Sequence, residues 1–111
     1  MEKKLSKLEN VKLGLCGYQE ACLGFSATIS GESWGVQDNK STWDANQIKH
    51  TENCRWSEED RNKGYAEIMR YISDLLNDAK VTSIDMLNGM PVEATFDGNT
   101  LVSWRILTEV I

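Results

Sequence analysis

The chain predicts an α+β fold: an antiparallel β-meander, one main amphipathic helix packed on the sheet, and a C-terminal β-hairpin. Three observations carry that expectation. Across residues 9–37 apolar side chains alternate with small or polar ones, the period of strands buried on one face. Across residues 57–80 the apolar residues recur instead at helical spacing. Residues 91–108 hold two further alternating runs around Asp97-Gly98, among the strongest short hairpin signals. A chain of 111 residues has material for one core, so residues 1–111 are read as a single domain.

The elements follow in order. Val11, Leu13 and Leu15 alternate with Lys12, Gly14 and Cys16, and the turn-like CGYQE leads into a second run. There Ala21, Leu23, Phe25, Ala27 and Ile29 share one face, and Cys22, Gly24, Ser26, Thr28 and Ser30 the other. Gly31-Glu32 suits a type II′ hairpin turn, which wants glycine first. That turn sets Ile29 opposite Trp34 and Ala27 opposite Val36. From 38 to 56 the text is polar and without period, and it reads as a long loop. Its lone large aromatic, Trp43, is either an anchor onto the body or a partner contact. Ser57 is then a good N-cap, with Glu58, Glu59 and Asp60 at the positive end of the helix dipole. Tyr65, Ile68, Ile72, Leu75, Leu76 and Ala79 form the apolar stripe, while Gly64 permits either close packing or a bend. VTSIDMLNG is a short capped turn ended by Asn88-Gly89. In the last hairpin strict alternation places Val92, Ala94 and Phe96 with Leu101, Ser103, Arg105 and Leu107. Val102, Trp104 and Ile106 then lie on the other face. Both faces are partly apolar in that register, which implies cover on both sides, for instance by a second subunit.

Composition removes several function classes. Apolar residues make up 41% and charged residues 26%, an ordinary globular profile, and no apolar run reaches membrane-spanning length. The first residues, MEKKLSK, lack the apolar segment of a signal peptide, so a cytoplasmic protein is expected. Seventeen acids against twelve bases give a formal charge of −5, the wrong sign for a protein that grips duplex nucleic acid through phosphates. Three cysteines, Cys16, Cys22 and Cys54, with no C-x-x-C, read as reduced thiols. His50 and Cys54 at i, i+4 would supply only half of a closed zinc site. Neither a metal nor a cofactor is expected.

Nucleotide-loop, nucleophile-elbow and zinc-protease motifs are all missing, and the chain has one histidine. The expectation is a binding protein, not an enzyme. Arginine with tryptophan suits an anionic planar ligand or a protein hot spot. The candidate ligand-binding residues are Arg55 and Trp56 ahead of the helix, Trp43 in the loop, and Asn99, Trp104 and Arg105 on the hairpin. Arg105, read as half-buried, needs an acid or an anionic ligand, and Arg55 and Trp56 are expected to face it.

GYQEACLGFSATISGESWGV, WSEEDR and LLNDAKVTSIDMLNGMPVEATFDGNTLVSWRILTEVI resemble a family of short, mostly uncharacterised proteins of tailed phages and prophages. The resemblance covers nearly the whole chain and is most specific in the last forty residues. The family's counterpart of WGVQDNKSTW is richer in glycine. More distantly, the layout is similar to the phage sponge proteins that counter the Thoeris defence, through a V-x-S-x-x-x-L-x-G step at Val81, Ser83, Leu87 and Gly89. Those proteins sequester cyclic ADP-ribose-type signals in pockets of a homo-oligomer without cleaving them. The resemblance implies a phage accessory protein, in the cytoplasm of the infected host bacterium, that binds a host defence signal molecule or a host protein. The alternative is a structural or morphogenetic phage protein acting through assembly. No ligand-contacting position is carried over from either family.

Overall fold

A computed structural model describes residues 1–111 as five strands and one long helix. The strands are β1 (Glu2–Cys16), β2 (Cys22–Gly31), β3 (Trp34–Trp43), β4 (Pro91–Asp97) and β5 (Thr100–Ile106), and the helix is α1 (Glu58–Ala79). Each strand pairs antiparallel with its neighbours in the order β3-β2-β1-β4-β5. The α+β meander with its C-terminal hairpin is therefore present. No helix is long and apolar enough to cross a membrane.

β1 is longer than the alternation from residue 9 suggests, and it joins the two halves of the sheet. Its first part, Glu2–Lys7, pairs with β4, and Lys7–Cys16 pairs with β2. Between them the register slips: Glu9 faces Thr28 but Lys12 faces Ser26, so Asn10 and Val11 share the place opposite Ala27. Asn10 takes the bulge conformation at φ 51°, which asparagine tolerates better than most residues. The extra residue flips the side-chain parity. Leu8 and Val11 consequently both enter the core, and Leu13 and Leu15 follow on the helix side, opposite Phe25 and Leu23.

The β2–β3 turn lies at Glu32-Ser33, not Gly31-Glu32. Gly31 pairs with Trp34, Ile29 with Val36 and Ala27 with Asp38. The two-residue displacement keeps every side chain on its expected face. β3 also continues to Trp43, so residues 38–43 are strand and the loop begins only at Asp44. Its period is hidden because β3 is an edge strand whose helix-facing positions are polar. Asp38 accepts a bond from Trp104, Lys40 sits 3.8 Å from Glu67, and Thr42 lies against Gly64.

The C-terminal hairpin departs further from strict alternation. Thr95 faces Ser103 but Phe96 faces Leu101, leaving Val102 as a bulge. Leu101, Trp104 and Ile106 thus join Val92, Ala94 and Phe96 over the core, and Arg105 turns outward. The hairpin's apolar residues gather on one face, with Val102 the exposed exception.

α1 opens as its sequence demands. Ser57 Oγ accepts from Asp60 N at 3.1 Å and Ser57 N donates to Asp60 Oδ2 at 2.9 Å, a complete capping box. These bonds hold the Asp60 carboxyl below its ordinary range, the Ser57 backbone N–H contributing most. Lys80, left-handed at φ 58°, closes the other end. Ile68, Ile72, Leu75 and Ala79 bury against the sheet, mainly over β3 and β2. The sheet curls around them: Trp104 on one edge strand donates from Nε1 to Asp38 Oδ2 on the other at 2.7 Å. Trp34 likewise meets Phe96 edge-on at 5.3 Å.

Candidate functional site

The six candidate residues do not form one site. Trp56 belongs to a lock at the start of α1. Arg61, only 4% exposed, stacks its guanidinium over the Trp56 ring at 4.2 Å. It donates to the Ile48 carbonyl at 2.6 Å and to Glu58 at 3.2 Å. His50 also meets the Trp56 ring, edge-on at 5.0 Å. The loop from Asp44 is thereby tied to the helix, and its first turn is folded by Asp44, whose carboxylate accepts from Asn46 N and Gln47 N at 3.1 Å each. Cys54 spends its thiol in the same loop, accepting from Thr51 N at 3.3 Å. Arg55, the neighbour of Trp56, is exposed.

Arg105 lies on the opposite face of the sheet from α1, so the expected meeting with Arg55 and Trp56 does not occur. It is half exposed and held by two acids. Both its terminal nitrogens reach Glu109, at 2.9 and 2.8 Å, and its Nε reaches Glu93 at 3.2 Å. Those bonds, Glu109 first, raise the arginine's pKa, and the arginine in turn holds the Glu109 carboxyl down at about 2. An acid partner is thus present for Arg105, but in the chain itself.

Trp104 is part of the core edge, bonded to Asp38 and edge-on to Tyr71 at 6.5 Å. Burial pushes the Tyr71 phenol up, and the Asp38 carboxylate adds to that. Asn99 lies in the β4–β5 turn and borders a small hollow of about 120 Å³ with Lys4, Trp34, Val36, Phe96 and Gly98. Lys4 Nζ stands 5.5 Å from the Trp34 ring and 5.1 Å from that of Phe96. Trp43 has its ring exposed on the outer face, opposite Cys22, and it is its carbonyl, accepting from Tyr65 Oη at 3.3 Å, that ties it to the body.

A more open feature escaped the reading of residue types. Leu13, Leu23 and Gly24 of the sheet and Tyr65, Ile68 and Met69 of α1 line a groove of about 250 Å³. It exists because the bulge at Asn10 swings Leu13 to the helix side while α1 stays over β2 and β3. Leu13 is 48% exposed and Met69 62%, a high exposure for side chains that share one apolar concavity. The alternation of Leu13 and Leu15 was the available signal, but it gives no depth or cover. Chemically the groove offers dispersion and desolvation alone, since no titratable side chain other than the Tyr65 phenol lines it. No group of three or more His, Cys, Asp or Glu side chains is gathered anywhere in the fold.

Set against family models, curated proteins and solved structures, the chain matches none of them.

Proposed function

We propose that this chain is a non-enzymatic binding protein, encoded by a phage, that occupies and so disables a host defence component, and that it works as a homo-oligomer in the cytoplasm of the infected bacterium. The observation that carries the proposal is the open apolar groove between α1 and the bulged end of β1, in a molecule whose buried or clamped cations already have internal partners. Such a surface suits a protein partner. A volume of about 250 Å³ falls below the roughly 300–1,000 Å³ that encloses a small ligand, so this groove in a single copy is too shallow for a cyclic nucleotide-type signal. Blocking a host protein is therefore the favoured form, and capture of a signal requires a second copy to complete the pocket.

The test has two arms. The chain is expressed in bacteria carrying single defence systems, and the plating of a phage that each system stops is measured. The pure protein is separately incubated with cyclic ADP-ribose isomers and cyclic oligonucleotides, washed, denatured, and searched for intact released ligand. Restored plating without retained ligand is the expected result, and retained intact ligand assigns the signal-binding form. No effect on plating for any system, with the chain found in purified virions, sinks the proposal in favour of a structural or morphogenetic role.

A further inference from the structure

Apart from Glu2–Leu5 of β1, a stretch beyond the end of β2 that carries the charges of Glu2, Lys3 and Lys4, three strand edges in this sheet are open, and they are not alike. β3 carries Asp38 and Lys40, and β5 carries Arg105. Charges on an edge strand discourage pairing with another chain. The third edge is the second half of β1, residues Lys12–Cys16, which has β2 on one side and nothing on the other. β4 stops opposite Lys7, and the last contact on that side is the Val11 N–H, which donates to Asn88 Oδ1 at 3.0 Å. Strand alternation from Val11 turns the N–H and C=O groups of both Leu13 and Leu15 toward the open side. Their side chains, exposed at 48% and 36%, line the helix face, where neither a proline nor an inward-pointing charge guards them.

We infer that this edge is a homodimer interface, in which two copies of β1 pair antiparallel about a two-fold axis through Gly14. The edge is self-complementary in that register alone. Leu13 faces the partner's Leu15 in a hydrogen-bonded pair, twice over by symmetry. Gly14 faces the partner's Gly14 at the close-approach position, where small residues fit. Lys12 meets the partner's Cys16, so no like charges are opposed. Centring on Leu13 would need the Val11 N–H that Asn88 already holds, and centring on Leu15 would bring in Gly17 at φ 77°, beyond the strand.

An axis normal to the sheet keeps both α1 helices on one side. The two grooves of Leu13, Leu23 and Met69 then flank the seam on one face of a continuous sheet and stay open to a partner. The exposed surface fits this arrangement. The chain exposes 7231 Å², about 1,000 Å² more than the ~6,200 Å² of a monomer of its mass. A standard interface removes about 800 Å² from each partner. The inference specifies the homo-oligomer of the proposed function and does not depend on what that oligomer binds.

Light scattering on the purified full chain tests it. The expected mass is twice that of the chain. Gly14→Glu and Gly14→Lys should each be monomeric, because like charges then meet across the axis, and a mixture of the two should recover a dimer. A Cβ at Gly14 meets nothing within 4 Å, so both variants should keep the wild-type circular dichroism. A wild-type monomer would overturn the interface and the homo-oligomer together. A dimer that persists in Gly14→Glu, or one that mixing fails to restore, overturns the interface while leaving the binding function standing.

Discussion

Gly64 lets α1 approach β3, and Gly64→Ala measures how much that approach matters. A Cβ built there lies 2.7 Å from Thr42 Oγ1 and 2.8 Å from Thr42 Cβ. Ordinary contact begins at 3.4 Å, so the helix and strand must separate by about 0.6 Å locally. Rotating the threonine moves its Oγ1 but does not relieve the contact with its Cβ, which stays at 2.8 Å. Two effects oppose each other. Alanine in a helix gains about 1 kcal/mol over glycine, while forcing extra volume into a packed contact costs typically ~1–3 kcal/mol. Here the overpacking should win, because the Tyr65–Trp43 bond and the Lys40–Glu67 pair span the same joint. Taking the middle of that range leaves a net loss of about 1 kcal/mol, which lowers the melting temperature by roughly 4–8 °C for a domain of this size. Calorimetry or thermal circular dichroism reads it, and a double-mutant cycle with Thr42→Gly should remove most of the penalty. An unchanged or higher melting temperature would show that the helix–strand distance is set elsewhere and would refute the reasoning.

Other expectations rest on separate contacts. Arg61→Ala removes the stack on Trp56 and the bond to Ile48, so tryptic cleavage after Lys49 and Arg55 should accelerate several-fold while the sheet stays folded. Equal cleavage rates would mean that the loop is held by something other than Arg61. Trp104→Phe keeps the ring but leaves the Asp38 carboxylate without its donor, at a cost of about 1–3 kcal/mol in denaturant unfolding. Glu109 should titrate with a midpoint of about 2 by carboxyl-carbon NMR. Because its folded pKa is depressed, its pairing with Arg105 is complete above its ordinary value of 4.5 and is lost as pH falls toward 2. Glu109→Gln should abolish that low-pH transition in the Arg105 side-chain resonances. An ordinary Glu109 midpoint would mean the clamp does not persist in solution.

Helix α1 was legible because its signals are local. Ser57, Asp60 and the apolar stripe interact within a few residues of one another, so their spacing contains the answer. The β2–β3 pairing was legible as to face but not as to register, since a two-residue shift leaves every side chain where it was. Strict alternation exchanges the faces of Arg105 and Trp104, because one unpaired residue, Val102, reverses parity without any mark in composition. The bulge at Asn10 had the same effect on β1. Trp56 stands at the helix start, next to the Ser57 cap, but its partner Arg61 gives no sign of burial in the sequence, since a first-turn arginine is ordinarily solvated. The end of β3 was hidden for the opposite reason: its inward residues are polar and become meaningful only beside Trp104, Glu67 and Gly64.

By itself the sequence determined that the chain is α+β, where its helix begins, which residues form its apolar face, and that its net charge is −5. These depend on interactions between near neighbours and on composition. Only the tertiary structure decided which side of the sheet each hairpin residue takes, that the Arg105 charge is answered within the chain, and that Leu13 borders an open groove and, with Leu15, an unpaired edge. Those outcomes turn on bulges and on contacts between residues far apart in the chain, such as Trp104 with Asp38. Their energies arise only once the sheet has curled around its helix.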